Sequence, residues 1–109
     1  FHPSASKAWL RFNGSSTVAA SYNITSVTDN GVGDWTVNIA TDFSSANYCG
    51  VALAGGTAIS TTPNNVDVAT APAAGTFRIW CHQWNGSDHP LADPGDPVAI
   101  FAAFFGDQA

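Results

Sequence analysis

The chain predicts an antiparallel β-sandwich, on three observations. Short runs alternate apolar and polar residues with the period of two that a half-buried strand requires. Clusters of Gly, Pro, Asn, Asp and Ser interrupt those runs at short intervals, as all-β sandwiches and barrels require. No stretch has the apolar repeat of an amphipathic helix of useful length.

Taken in order, Lys7–Phe12 reads as a strand with Ala8, Leu10 and Phe12 on one face and Lys7, Trp9 and Arg11 on the other. Thr17–Val27 follows as one long strand, bulged near Thr25. Ile24 and Val27 then precede the cluster Asp29-Asn30-Gly31-Val32-Gly33-Asp34. Asx-Gly pairs accept the positive φ angles of a tight hairpin, so a turn belongs there. In Trp35–Ala40 beyond it, Trp35, Val37 and Ile39 alternate with Thr36, Asn38 and Ala40. Tyr48–Leu53 is the next strand, with Cys49 and Val51 read as inward. Val66–Ala69 carries the faintest pattern. Thr76–Gln83 places Phe77, Ile79 and Cys81 on one face and Arg78, Trp80 and His82 on the other, with Trp84 just beyond. Pro97–Phe105 closes the series. The predicted core is Leu10, Phe12, Val37, Ile39, Val51, Ile79 and Ile100. The two longest connections are Gly55–Asn65 and Trp84–Asp96; the second is rich in Pro, Asp and Gly, a loop type where binding residues concentrate.

With 109 residues and 11.3 kDa, residues 1–109 suffice for one domain with a single two-layer core. Charged residues make up only 10% of the chain, so Ser, Thr, Asn, Gly and Ala, or other subunits, must cover its surface. Three Lys plus Arg against eight Asp plus Glu give a net charge of -5, which argues against nucleic acid and against attachment to anionic lipid. The longest apolar run, 98–105, suits a buried strand and is far short of a membrane span, so no membrane insertion is expected. The chain opens on Phe1 and contains no Met, so the expectation is a fragment of a longer protein.

The segment from Ala8 to Val51 resembles a domain at the C-terminal ends of bacteriophage tail fibres and related tail proteins. The likeness is carried by Ala8-Trp9, Phe12-Asn13-Gly14, Ser21-Tyr22-Asn23, Ser26, Thr28-Asp29-Asn30-Gly31, Gly33-Asp34-Trp35-Thr36-Val37-Asn38 and Ala46-Asn47-Tyr48. The ending, Val98-Ala99-Ile100-Phe101 with Phe105-Gly106-Asp107, is similar to the way such domains close. Residues 54–97 show no such likeness, and Ala19-Ala20 stands where members of the family often carry an arginine. Each piece is short and turn-rich; their order and spacing together make the likeness specific. It implies the C-terminal part of a tail fibre on the virion, a homotrimer, and a non-enzymatic tip that binds a bacterial surface glycan or other host receptor. The alternatives are a purely structural trimerisation or capping module and the accessory domain of a polysaccharide depolymerase.

All three basic residues, Lys7, Arg11 and Arg78, fall on faces that also present a tryptophan. Such a face suits a sugar, whose apolar side packs on an indole, or a subunit interface, where Trp and Arg are enriched. Trp9, Arg11, Phe101 and Phe105 are the expected interface, because both faces of the last strand are apolar where one solvated face should alternate polar residues. Arg78, Trp80, His82, Trp84, Asn85 and Asp88 are the expected ligand-binding set. Cys49 and Cys81 are expected as two thiols, since virion proteins assemble in a reducing cytoplasm. His2, His82 and His89 lack metal-ligand spacing, Asp88, Asp93 and Asp96 match no known calcium loop, and no carboxylate pair has the spacing of a glycosidase. No catalytic residue, metal or cofactor is therefore expected. The Asn-x-Ser/Thr sequons at Asn13, Asn23 and Asn85 are expected by chance in a chain so rich in Asn and Ser.

Overall fold

The structure, a computed structural model, describes residues 5–31, 33–55, 64–68, 72–83, 93–94 and 99–108, with the backbone alone at 64–65, 67–68, 82–83 and 93–94. The described residues form nine strands: β1 (Ala8–Phe12), β2 (Val18–Tyr22), β3 (Ile24–Gly31), β4 (Asp34–Ile39), β5 (Cys49–Gly55), β6 (Asn64–Val68), β7 (Thr76–Gln83), β8 (Asp93–Pro94) and β9 (Ala99–Phe105). The described residues contain no helix. All pairings are antiparallel, and the strands form two sheets packed face to face as a β-sandwich. The first sheet has the order β2-β1-β9-β5; the second has β3-β4-β7-β6, with β8 paired to the end of β7.

Alternation decides which residues face inward. In β1 and β4 every second side chain is buried: Ala8, Leu10 and Phe12 from the first sheet, Trp35, Val37 and Ile39 from the second. Phe77, Ile79 and Cys81 of β7 and Ile100, Ala102 and Phe104 of β9 complete the slab between the sheets. Burying each large apolar side chain contributes about 1.5–3 kcal/mol. Aromatic rings lock the layers together. Phe12 meets Trp35 edge-on at 5.6 Å, and Phe77 meets Phe104 edge-on at 4.9 Å. The Trp35 indole N–H, buried with its ring, donates to the Gly14 carbonyl at 3.2 Å, so the tryptophan leaves no unsatisfied donor in the core.

Two expectations are corrected. Thr17–Val27 is not one strand: β2 belongs to the first sheet and β3 to the second, and the chain changes sheets at Asn23. Asn23 adopts φ 58°, a left-handed conformation that asparagine tolerates better than most residues. Its amide nitrogen donates to Lys7 O and Thr41 O, its side-chain oxygen accepts from Thr41 N at 2.8 Å, and its carbonyl accepts from Ala40 N. These bonds pin the corner. The bulge near Thr25 is present, as the β3–β4 register steps from Ile24 to Ser26. The hairpin turn also falls where the Asx-Gly cluster places it, with Gly31 opposite Asp34 and positive φ at Gly31 and Gly33.

The second correction concerns β5. Cys49 and Val51 point outward, and Gly50, Ala52 and Ala54 point toward the core. The cause is steric. A Cβ on Gly50 would lie 2.5 Å from the Phe77 ring and 3.0 Å from that of Phe104. Only the small residues of this strand fit beneath those rings, so its larger residues are left outside. Val51 therefore leaves the predicted core; the other six predicted members are buried. Cys81 is buried and Cys49 is exposed.

Candidate functional site

The two sheets present outer faces of opposite character. On the first, register carries Trp9 beside Tyr22 on one side and Ala103 on the other, with Val51 next across. The adjacent row runs Ala20, Arg11, Phe101, Leu53. Trp9 and Phe101 are each 43% exposed and Leu53 is 72% exposed. Trp9, Arg11, Val51, Leu53, Phe101 and Ala103 line a shallow, almost wholly apolar depression of about 640 Å³. The Arg11 guanidinium lies 5.4 Å from the Phe101 ring centre, a cation–π contact that keeps the one charge of this patch against an aromatic face. Phe105 shares the same side of β9, half-buried and opposite Cys49. The four residues expected at an interface thus lie on one outer face.

The outer face of the second sheet is a polar ladder. Asn38 donates to Ser26 Oγ and to Thr28 Oγ1, both at 3.0 Å. Asn30 donates to Thr36 Oγ1 at 2.8 Å and more weakly to Asp34 Oδ1. Arg78 grips Asp34 through two parallel bonds, Nε to Oδ1 at 2.8 Å and Nη2 to Oδ2. Those bonds from Arg78 hold the Asp34 carboxyl below its ordinary range and raise Arg78 in turn. Trp80, 45% exposed, stands directly across from Asp34 in the β4–β7 register. Among the described residues it is the single large exposed apolar side chain on this sheet; Trp9, Tyr22, Val51, Leu53 and Phe101 belong to the other.

Of the expected ligand-binding set, Arg78 and Trp80 share one face, and His82 lies further along the same strand, described by its backbone alone. Trp84, Asn85 and Asp88 lie outside the described residues, as do His2, His89 and Asp96. The described residues contain no group of three His, Cys, Asp or Glu able to hold a metal ion, and no helix long and apolar enough to cross a membrane.

Sequence reasoning missed Asp34 as the partner of Arg78. The two are far apart in the chain, and the signal is their shared outward parity on strands that flank one another. It also missed the plug at one end of the sandwich, where buried Phe43 stacks on Tyr48 at 4.1 Å. The Tyr48 hydroxyl lies 2.9 Å from Ala73 O and 3.1 Å from Thr76 O, able to donate to either, and burial raises its pKa above the ordinary phenol value. Comparison of the chain with protein families, curated proteins and solved structures yields no match.

Proposed function

We propose that this domain is the tip domain of a bacteriophage tail fibre, which forms a homotrimer and binds a bacterial surface glycan as host receptor without catalysing a reaction. The observation that carries the reading is the apolar outer face of the first sheet. Trp9, Val51, Leu53 and Phe101 lie together there, and among the described residues Arg11 is the one charged side chain lining the depression. Contiguous exposed apolar surface of this kind marks an association site, and the tail-fibre resemblance supplies its occupants, two further copies of the chain. The low charge of the whole molecule supports the same reading, because subunit contacts then cover surface that charges would otherwise keep soluble.

A purely structural trimerisation module would use the same apolar face. Trp80 favours the binding role over it: its indole is exposed on the opposite side of the sandwich, away from the association surface. Sedimentation equilibrium at micromolar concentration tests the assembly. The expected result is a trimer; a clean monomer of about the chain mass removes the association surface and with it the main support for the reading. A binding screen of that trimer against bacterial envelope polysaccharides tests the receptor. No binding to any of them returns the domain to a scaffold role.

A further inference from the structure

We propose that the outer face of the second sheet holds a subsite for a neutral hexose, in which the Trp80 indole packs on the apolar side of the pyranose and the Asp34–Arg78 pair takes its adjacent hydroxyls. The inference rests on the receptor-binding reading above and narrows it to a place and a sugar class.

Position comes first. Trp80 and Asp34 are directly opposed across β7 and β4, and Arg78 projects on the same side two residues before Trp80. Directly opposed residues in an antiparallel pair hold their Cβ atoms about 5 Å apart, a spacing that one pyranose ring spans. The indole is wide, rigid and half exposed, and a ring that stacks on it brings its edge hydroxyls over the neighbouring strand.

Chemistry selects the class. Arg78 spends Nε and Nη2 on the two oxygens of Asp34, and among the described residues Nη1 has no acceptor, so the pair offers a donor beside a carboxylate with acceptor capacity to spare. A donor and an acceptor side by side match two vicinal hydroxyls, each of which gives and takes a hydrogen bond. The same pairing works against an acidic sugar. A uronate or sialate carboxylate placed there would meet the like charge of Asp34, on a chain whose net charge is already -5. The neighbouring polar side chains of β3 and β4 are uncharged and bonded within the sheet: Asn30 bonds Asp34 and Thr36, while Asn38 bonds Ser26 and Thr28; the β6–β7 register adds Asp67 across from Trp80.

The test is an NMR titration of the 109-residue chain with the methyl glycosides of glucose, galactose and mannose, and separately with glucuronic and sialic acids. The Trp80 indole resonance is assigned from Trp80→Phe, which keeps an aromatic ring on the strand. At least one neutral glycoside should shift the Trp80 indole and the Arg78 Nε–H together in a saturable manner, with both acids weaker. Trp80→Ala should then weaken that binding about tenfold or more, and Asp34→Asn by a smaller factor. Tighter binding of an acid overturns the sugar class; neutral binding that leaves Trp80 unmoved, or no glycoside binding at all, overturns the subsite. If envelope polysaccharide still binds the trimer with Trp80→Ala unchanged, the subsite fails and receptor binding stands. Where no polysaccharide binds either, both fall.

Discussion

The inner surfaces of the two sheets are nearly interchangeable, and their outer surfaces are not. Leu10 and Phe12 on one side and Val37 and Ile39 on the other follow the same alternation and are equally buried. Outward, the first sheet carries Trp9, Val51, Leu53 and Phe101, while the second carries Ser26, Thr28, Asn30, Thr36 and Asn38 bonded to one another. What an outer face does follows from whether its groups are already satisfied. Covering the polar ladder would strip water from amides and hydroxyls without offering new partners, which costs free energy. Covering the apolar face releases water from hydrocarbon and ring surface, a gain of about 25 cal/mol per Å². One face therefore favours burial by another protein surface, and the other favours water or a hydroxyl-rich ligand.

The substitutions that break or sharpen this contrast span a wide range of effect. The largest acts on the slab supporting both faces: Trp35→Ala should cost about 3–5 kcal/mol in urea unfolding, because it opens a cavity against Phe12 and orphans the Gly14 carbonyl. Next comes Leu53→Asp on the apolar face, which should weaken self-association by about 2 kcal/mol or more in sedimentation equilibrium. The monomer's own stability should stay nearly unchanged, since the side chain makes little contact within the chain. An equal loss of monomer stability would mean that this face is part of the fold rather than an association surface.

Asn23→Ala, at the corner joining the two faces, should cost about 1–3 kcal/mol from lost hydrogen bonds and a strained φ, and Asn23→Gly less, because it relieves the strain alone. On the polar face, Asn38→Ala should cost about 1 kcal/mol or less in the same unfolding assay, as exposed side-chain bonds exchange readily with water. The smallest effects are those of pH. Asp34 has a folded pKa below its unfolded one, so its contribution is present above the ordinary carboxylate pKa and is lost as pH falls through the folded value. Tyr48 has a raised pKa; its contribution is present below the ordinary phenol value and is lost as pH climbs through the folded one. Melting temperature measured against pH should fall at both ends, with the acid limb reduced in Asp34→Asn and the alkaline limb reduced in Tyr48→Phe.

Legibility followed the same physics. β4 and β7 could be read almost to the residue, because apolar and polar side chains alternate strictly along β4 and Arg78 and His82 mark the outer side of β7. In β5 parity is silent, since Cys-Gly-Val-Ala-Leu-Ala-Gly offers no polar residue to mark the outside. What decides its orientation is the bulk of Phe77 and Phe104, which sit on other strands and become neighbours only in the fold. The break at Asn23 was hidden because Tyr22 and Ile24 both suit a strand; only the asparagine between them, a residue that tolerates φ > 0, signals the corner. Trp9 and Arg11 were placed together because the parity of β1 was clear by itself, and Phe101 joined them through the second apolar face of the last strand. Asp34 and Arg78 were not paired, since that step needs to know which strands are neighbours.

β9 lies between β1 and β5, so the middle of the first sheet is supplied by a strand made after every other strand of this domain. Residues near the start, such as Ala8, must wait for Phe104 before they have a partner, and pairing at that separation folds slowly, on the order of milliseconds to seconds. Until Ala99–Phe105 has emerged and inserted, β1 and β5 have no strand between them and Phe101 is absent from the surface where Trp9 and Leu53 meet. A chain that stops short of Ala99 lacks Phe101 and the strand that carries it, and should fail to enter a complex with 109-residue copies in a mixed-subunit pull-down.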